Sequence, residues 1–505
     1  MQLFHKYAEE LADICTPVAP FPVLRARVAL VNNKLAEALD ISVDELSTAK
    51  LLPSLFGDDG ELQAHSVAQK YGGHQFGQWN PQLGDGRGLL LGEVKAQSGQ
   101  FFDLHLKGAG PTPYSRHADG RAVLRSTIRE YLAGEALHAL GIPSSRSLCL
   151  ITSDEPVIRE TRERGAMMIR VCESHLRFGH FEYYFHTDQH EQLQNLFTFA
   201  FEHHFADTIA AHPEQSPHAA MLQEIVSSTA AMIAKWQAYG FNHGVMNTDN
   251  MSIHGITFDF GPYAFLDDFI PNYVCNRSDH SGRYAFDQQP SIGLWNLNAL
   301  AHAFSPYLDI KEIKAILMTY EDTLVNDYQA LIRQRLGLSM QAETPDKMRQ
   351  NDEQKLSHEI DVLIGEWMQI LQTEKADMHV AFRTLSKHLL SIRDNNYNTL
   401  SDNFIQADRV RSWCVNYQEI QQALLDLNQK SWQKIQEEML GVNPKYVLRN
   451  HLAQEAIAAA EDDDFSLCEA FLTVLSSPFE EHPDYERFSK PPATQDKGIA
   501  LSCSS

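Results

Sequence analysis

His243-Gly-Val-Met-Asn-Thr-Asp-Asn250 stands ahead of Asp259-Phe-Gly261, with nine positions separating Asn250 from Asp259. Magnesium takes oxygen ligands from carboxylates, amides and water, and an Asn and an Asp on neighbouring turns supply such a pair. The apolar runs Ile256-Thr-Phe258 and Tyr263-Ala-Phe-Leu266 flank Asp259 and predict a hairpin there. Upstream, Leu222, Ile225, Val226, Met232, Ile233 and Trp236 form one apolar stripe in which only Thr229 is polar. That periodicity predicts a long helix that stops at Gly240 and feeds the polar loop.

The order of these motifs resembles the catalytic segment of protein kinases, H-R-D-x-x-x-x-N followed by D-F-G. In that pattern the first Asp accepts the proton of the attacking hydroxyl. Five positions before Asn250 this chain has Val245, an apolar side chain that can take no proton. The metal ligands Asn250 and Asp259 are retained, while the usual base is missing from its usual place. Asp249 reads either as a turn residue of Asn-Thr-Asp-Asn or as the nearest carboxylate able to stand in for that base. The segment implies nucleotide binding and a reaction other than simple phosphorylation.

Outward from this segment the chain has a consistent order. Residues 1–60 mix short helical stretches with the Pro-rich turn Thr16-Pro-Val-Ala-Pro-Phe-Pro22 and read as an extension without chemistry. From Tyr71 glycines crowd the chain, and the apolar runs Leu89–Val94 and Phe101–Lys107 follow; together these predict hairpins of a small antiparallel sheet. Leu124, Ile128, Leu132 and Ala136 recur every four residues and predict a helix over 121–140, stopped by Gly141-Ile-Pro143. Amphipathic helices are expected from about 293 to 475, broken at Gly441-Val-Asn-Pro444, with an irregular Pro-rich tail beyond. The predicted class is α+β, a protein-kinase-like two-lobed fold. Its expected parts are an N-terminal extension (1–60), a small antiparallel-sheet N-lobe (61–165), a large helical C-lobe with the catalytic loop (166–475) and a C-terminal tail (476–505).

Composition narrows the function classes. In 505 residues, 66 acidic side chains face 42 basic ones, giving a net charge of −24 that repels polyanions and argues against nucleic acid as a partner. No apolar window approaches a membrane span, and the first ten residues carry acids where a secretory signal would be basic and then apolar. A cytoplasmic location is expected. The seven cysteines are scattered, odd in number and without C-x-x-C spacing, which points to neither a disulfide framework nor a zinc knuckle.

Other candidate residues each have two readings. Gly84-Asp-Gly-Arg-Gly88 is either an ordinary tight turn or a loop whose amides close on phosphates while Arg87 adds charge. Lys107 is a surface lysine unless Glu130, on the following helix, is its acidic partner. Arg170 and Arg177, bracketing Cys172-Glu-Ser-His-Leu176, are either surface ion-pair residues or ligands of an anion. His203-His204 and the pair His186 and His190 lack an H-E-x-x-H frame and read as structural.

Longer strings carry a more specific resemblance. Tyr71-Gly-Gly-His-Gln-Phe-Gly77, Leu106-Lys-Gly-Ala-Gly-Pro-Thr-Pro-Tyr-Ser-Arg116, Asp119-Gly-Arg121, Phe258-Asp-Phe-Gly-Pro262, Asn443-Pro-Lys-Tyr-Val-Leu-Arg-Asn450 and the terminal Cys503-Ser-Ser505 join the 243–250 segment here. Together they resemble the selenoprotein O (SelO) family of protein adenylyltransferases, from about residue 10 to the chain end. The resemblance implies a kinase-like fold that holds ATP reversed, so that AMP passes to Ser, Thr or Tyr hydroxyls of other proteins. It assigns Gly84, Gly86, Arg87, Lys107, Asp119, Gly120, Arg170 and Arg177 to the nucleotide, and Asn250 and Asp259 to magnesium, with manganese as the alternative ion. Asp249 becomes the proton acceptor. Some relatives carry selenocysteine third from the end, where this chain has Cys503, a weaker nucleophile; the resemblance also implies a regulatory disulfide, for which Cys275 is the candidate partner. An ordinary kinase and a non-catalytic nucleotide-binding scaffold are the rival readings.

Overall fold

The computed structural model describes residues 1–340, 347–499, 501 and 502, and of 347–352 the backbone alone. Its strands are β1 (Cys15–Pro17), β2 (Arg27–Val31), β3 (Val67–Gln69), β4 (Gly73–Gln75), β5 (Gln78–Asn80), β6 (Gly88–Lys95), β7 (Phe101–Lys107), β8 (Ala122–Val123), β9 (Arg146–Ile158), β10 (Arg162–Cys172), β11 (Phe241–Asn242) and β12 (Ala264–Phe265). Eight of them form one antiparallel sheet in the order β1-β3-β6-β7-β10-β9-β2, with β8 paired to β10. The fold is α+β, since helices make up most of the chain after residue 178.

Alternation along the central strands decides what the sheet presents on each face. Leu104 and Leu106 of β7, Leu89 and Leu91 of β6, and Met167 and Ile169 of β10 point to one side. There they pack with Leu35, Leu39, Leu51 and Leu55 from the N-terminal helices. On the opposite face the same strands place Lys107 and Arg170, against the helix Leu124–Ala139. That helix has Leu124, Ile128, Leu132 and Ala136 buried, and at mid-length it carries the buried Glu130. The polar face of an otherwise apolar sheet is therefore set by strand register, one residue out of phase with the core.

The structure corrects four expectations. The segment 1–60 is no mere extension: it supplies β1 and β2, the two edge strands of the sheet, and part of its core. The Gly-rich stretch 71–80 does not join the sheet, because β4 and β5 pair only with each other and lean onto the 243–250 loop. The division expected at 165/166 cuts through β10, which carries the sheet on to Cys172. Also, Ile256–Phe258 is not a hairpin strand; β12 pairs instead with β11, the strand immediately before the 243–250 loop.

The long helix runs Pro217–Ala238, with Ser216 capping it by accepting from the Ala219 N–H at 3.2 Å. Its stripe is buried, Thr229 included. The helix Gln289–Ala301 and the long helix Ile310–Arg335 pack on it. Helices continue to Leu475, with the break after Leu440 where Asn443 accepts from Arg335 Nε at 2.8 Å. Among the described residues no helix is long and apolar enough to cross a membrane.

Thr229 gives a direct test of this packing. Its hydroxyl is fully buried and has no hydrogen-bond partner among the described residues. Thr229→Val removes an unsatisfied polar atom and leaves the shape nearly unchanged. It should raise stability by about 1 kcal/mol, read as a higher denaturation midpoint at unchanged slope.

Candidate active site

Six of the residues singled out in the sequence are joined by contacts into one chain. Lys107 Nζ donates to Glu130 Oε2, and Arg170 Nε donates to Glu130 Oε1. The same Arg170 reaches Asp259 Oδ1 through Nη1 at 2.8 Å. Arg177 Nη1 donates to the other oxygen of Asp259 at 2.5 Å and to the backbone carbonyl of Asp249 at 2.7 Å. Sheet, helix and loop residues therefore meet around a single carboxylate.

Each position has a local cause. Arg177 is clamped between the rings of Tyr71 and Phe258, 4.6 Å and 4.7 Å from their centroids. Asp259 adopts φ +58°, a left-handed conformation that Asp tolerates better than most residues and that turns its carboxylate back toward the arginines. His243 locks the two loops together: its Nε2–H donates to the Phe258 carbonyl at 3.0 Å, and its Nδ1 accepts from the Val245 N–H at 3.3 Å. That pattern fixes one neutral tautomer, and burial keeps the ring's pKa below the usual value. Val245 is buried at the position a kinase base would occupy.

The electrostatics follow from this crowding. Burial alone would raise the pKa of Asp259, but Arg177 and Arg170 overcome it and hold the carboxylate ionised, well below the ordinary range. Glu130 is likewise kept ionised against its burial by Arg170 and Lys107. Burial, with Arg170 and Arg87 nearby, lowers Lys107 to about 8 despite its ion pair. Arg87 is exposed and lies within electrostatic reach of Arg170, Glu130 and Asp259. Lys107, Arg170, Arg177 and Arg87 thus gather around Glu130 and Asp259, with the buried Asp85 also within electrostatic reach of Arg177.

Asp249 behaves differently from Asp259. It is buried, its Oδ2 accepts from Gln75 Nε2 at 3.0 Å, and its Oδ1 has no hydrogen-bond partner among the described residues. Burial raises its pKa to about 7, against the smaller opposing pulls of Gln75 and Arg177. A carboxylate poised there exchanges protons near neutrality, as a general base must. Asn250 spends its amide nitrogen on the Val245 carbonyl at 3.1 Å, which leaves Oδ1 as its free-facing acceptor. Asn250 Oδ1, Asp259 and Asp249 Oδ1 are oxygen donors of the kind a hard divalent ion such as magnesium takes, and both Asp259 oxygens are here engaged by Arg170 and Arg177.

The remaining candidates sit in varied settings. Gly84 and Gly86 pack on the 112–115 loop, where a Cβ on Gly84 would come within 2.6 Å of the Tyr114 ring and one on Gly86 within 3.0 Å of its carbonyl. Close backbone packing already demands glycine at both. Asp119 sits on an exposed loop, gripped by Arg159 at 2.7 Å, and a Cβ on Gly120 would strike the Gly110 carbonyl. Cys275 is buried against the loop, since a Cβ on Gly244 would collide with its Sγ. Cys503 lies outside the described residues.

Sequence reasoning missed the β4–β5 hairpin as part of this site. His74 N–H donates to Thr248 Oγ1 at 2.7 Å, Phe76 N–H to Asn247 Oδ1 at 3.1 Å, and Gln75 reaches Asp249. A Cβ on Gly73 would lie 2.9 Å from the Asp249 side chain. More than 170 residues separate these partners, so no local spacing signals them.

Comparison with known proteins identifies the family. A family model described as protein adenylyltransferase SelO matches residues 2–476. The chain belongs to the SelO family of protein adenylyltransferases. It is 53% identical to a protein nucleotidyltransferase YdiU of Pseudoalteromonas atlantica over all of both chains. It is 45% identical to the YdiU of Vibrio cholerae across 100% of this chain and 99% of that one, and 46% to that of Pseudomonas aeruginosa across 99% and 98%. The expected membership and the nucleotidyltransferase class are thereby borne out, and ATP is the substrate that an adenylyltransferase family uses.

Asp249 makes a stability prediction whose sign is fixed. Its folded pKa, about 7, lies above the ordinary 3.8, so its contribution is fully present below about pH 4 and is lost as pH rises through 7. Asp249→Asn mimics the protonated form. The variant should match the parent's melting temperature near pH 4 and exceed it at pH 8, as read by thermal denaturation at both.

Proposed function

We propose that the chain transfers AMP from ATP to Ser, Thr or Tyr hydroxyls of proteins, within a two-lobed, kinase-like architecture whose cleft is the pocket around Asp259. The unbroken contact chain from Lys107 through Glu130, Arg170, Asp259 and Arg177 to Asp249 carries this reading. Lys107, Arg170, Arg177 and Arg87 bind the triphosphate, with Gly84, Gly86, Asp119 and Gly120 shaping the loops beside it. Glu130 holds Lys107 charged and oriented.

Asp249 accepts the proton of the acceptor hydroxyl. The freed oxygen bonds to the α-phosphorus, the bond from that phosphorus to the α–β bridging oxygen breaks, and pyrophosphate leaves. Asn250 and Asp259 are the residues that would hold magnesium, or manganese, which when bound neutralises phosphate charge. Val245 supports this reading over ordinary phosphorylation, since no proton acceptor stands at the kinase position. The cytoplasm fits scattered thiols, ATP and protein acceptors.

Redox control belongs to the same proposal. The Arg277 N–H donates to the Leu501 carbonyl at 2.7 Å, and Leu501 bridges Asn276. The chain is thus tied beside Cys275 two positions ahead of Cys503. A disulfide between Cys275 and Cys503, formed as two protons and two electrons pass to a disulfide oxidant, would press on Gly244 and the catalytic loop.

ATP labelled at the α or the γ phosphorus separates the readings. Protein should acquire the α label and a mass gain of one AMP; γ label would indicate a kinase, and neither label a scaffold. Asp249→Asn should lower kcat by at least about 10²-fold. Asp259→Asn should abolish transfer, and full activity in that variant would contradict the metal assignment. The parent's kcat should rise with pH through about 7, as Asp249 loses its proton.

A further inference from the structure

A second cluster of ligating side chains lies on the far side of the β4–β5 hairpin from Gln75's contact with Asp249. His74 of β4, with Glu182 and His186 of the helix Phe178–His186, bring one ligand atom each to within 4.8 Å of one another. Glu182 and His186 are four apart on one helix face, so both project to the same side. His74 Nδ1 donates to Glu182 Oε2 at 2.5 Å.

Glu182 is the telling member. Its side chain is fully buried, its one ion-pair partner among the described residues is His74, and its Oε1 has no hydrogen-bond partner. A buried carboxylate facing only an imidazole is short of positive charge. His186 is exposed and free to close on the cluster, with Trp79 packed 4.6 Å from its ring and Trp295 walling the His74 side at 5.3 Å. Two imidazoles and a carboxylate are a frequent donor set for zinc, which keeps a fourth, open position for water. Oxygen-rich sites such as Asn250 with Asp259 suit magnesium instead.

We propose that His74, Glu182 and His186 bind one divalent transition-metal ion of the zinc class, at a site separate from the nucleotide pocket. The ion ties the β4–β5 hairpin to the helix that Arg177 caps. His74 also donates its backbone N–H to Thr248, and its neighbour Gln75 holds Asp249, so the site steadies the hairpin against the catalytic loop. Any effect on transfer rests on the role proposed for Asp249; metal binding does not.

Chelator-treated full-length protein, titrated with zinc chloride in excess magnesium and followed by calorimetry and metal analysis, tests the site. One equivalent of zinc should bind, and cobalt(II) substitution should give the visible absorption of a tetrahedral centre. His186→Ala and Glu182→Gln should each weaken binding by at least about tenfold, no less than the loss of a metal site's supporting contacts costs. His186 is exposed, so its variant keeps the fold, and zinc should raise the melting temperature of the parent but not of His186→Ala. Asp259→Asn should retain the zinc, as should His203→Ala, which removes a ligand of the other His/Glu cluster, Glu10, Glu202 and His203. No zinc uptake by the parent, unchanged uptake by His186→Ala, or loss in either Asp259→Asn or His203→Ala would overturn the assignment.

Discussion

Asp259 between Arg170 and Arg177 is the contact on which the site depends. One guanidinium comes from the sheet and the other from the start of a helix, while the carboxylate comes from the loop after the catalytic segment. Each arginine is buried and would be costly to leave unpaired, and the same holds for the carboxylate. Their mutual satisfaction therefore fixes three separate pieces of backbone at once. Arg170 extends the link to Glu130 and Lys107, and Arg177 extends it to the Asp249 carbonyl. A shift of any one element would strand a charge in a dry environment.

The two aspartates within this frame are tuned in opposite directions by what surrounds them. Asp259 has cations on both oxygens and stays ionised; Asp249 has one amide donor, one bare oxygen and burial, and titrates near neutrality. Paired carboxylates with separated pKa values suit a division between holding charge and moving protons. If Asp249 is the proton acceptor, as proposed, the carboxylate stands at 249 rather than 245, and an acceptor hydroxyl would approach from a different place. Val245 leaves an apolar wall where a kinase substrate would be deprotonated.

The sequence made legible those features that rest on local periodicity or fixed spacing. The helix stripe from Leu222 to Trp236, the strands at 88–95 and 101–107, and the Asn250–Asp259 spacing all depend on near neighbours. The Lys107–Glu130 pair was legible because the two-residue β8 is the only element between its strand and its helix along the chain. By contrast, β1 and β2 are short, partly exposed edge strands with a weak alternation signal, and their partners lie tens of residues away. Gly73, His74 and Gln75 were visible only inside the string Tyr71–Gly77 that carries the resemblance, with no sign of what they touch, because their partners lie on a loop more than 170 residues later. Glycines 84 and 86 illustrate a mixed case: a turn reading and a phosphate reading predict the same residue, and the Tyr114 loop explains them by packing alone.

Net charge and pocket charge pull in opposite directions here. A chain at −24 would repel a free triphosphate at long range, yet Lys107, Arg170, Arg177 and Arg87 gather around Glu130 and Asp259. At physiological ionic strength the screening length is about 8 Å, so exposed acids elsewhere on the molecule are hardly felt inside the cleft. Buried charges are screened far less, and there the local excess of cations dominates. Binding a polyanion also repairs a defect, since Lys107 is held at about 8 by burial and by its own cationic neighbours. An arriving phosphate would stabilise that ammonium and draw its pKa upward. On the proposed reading, a nucleotide would meet charges that the fold has already desolvated.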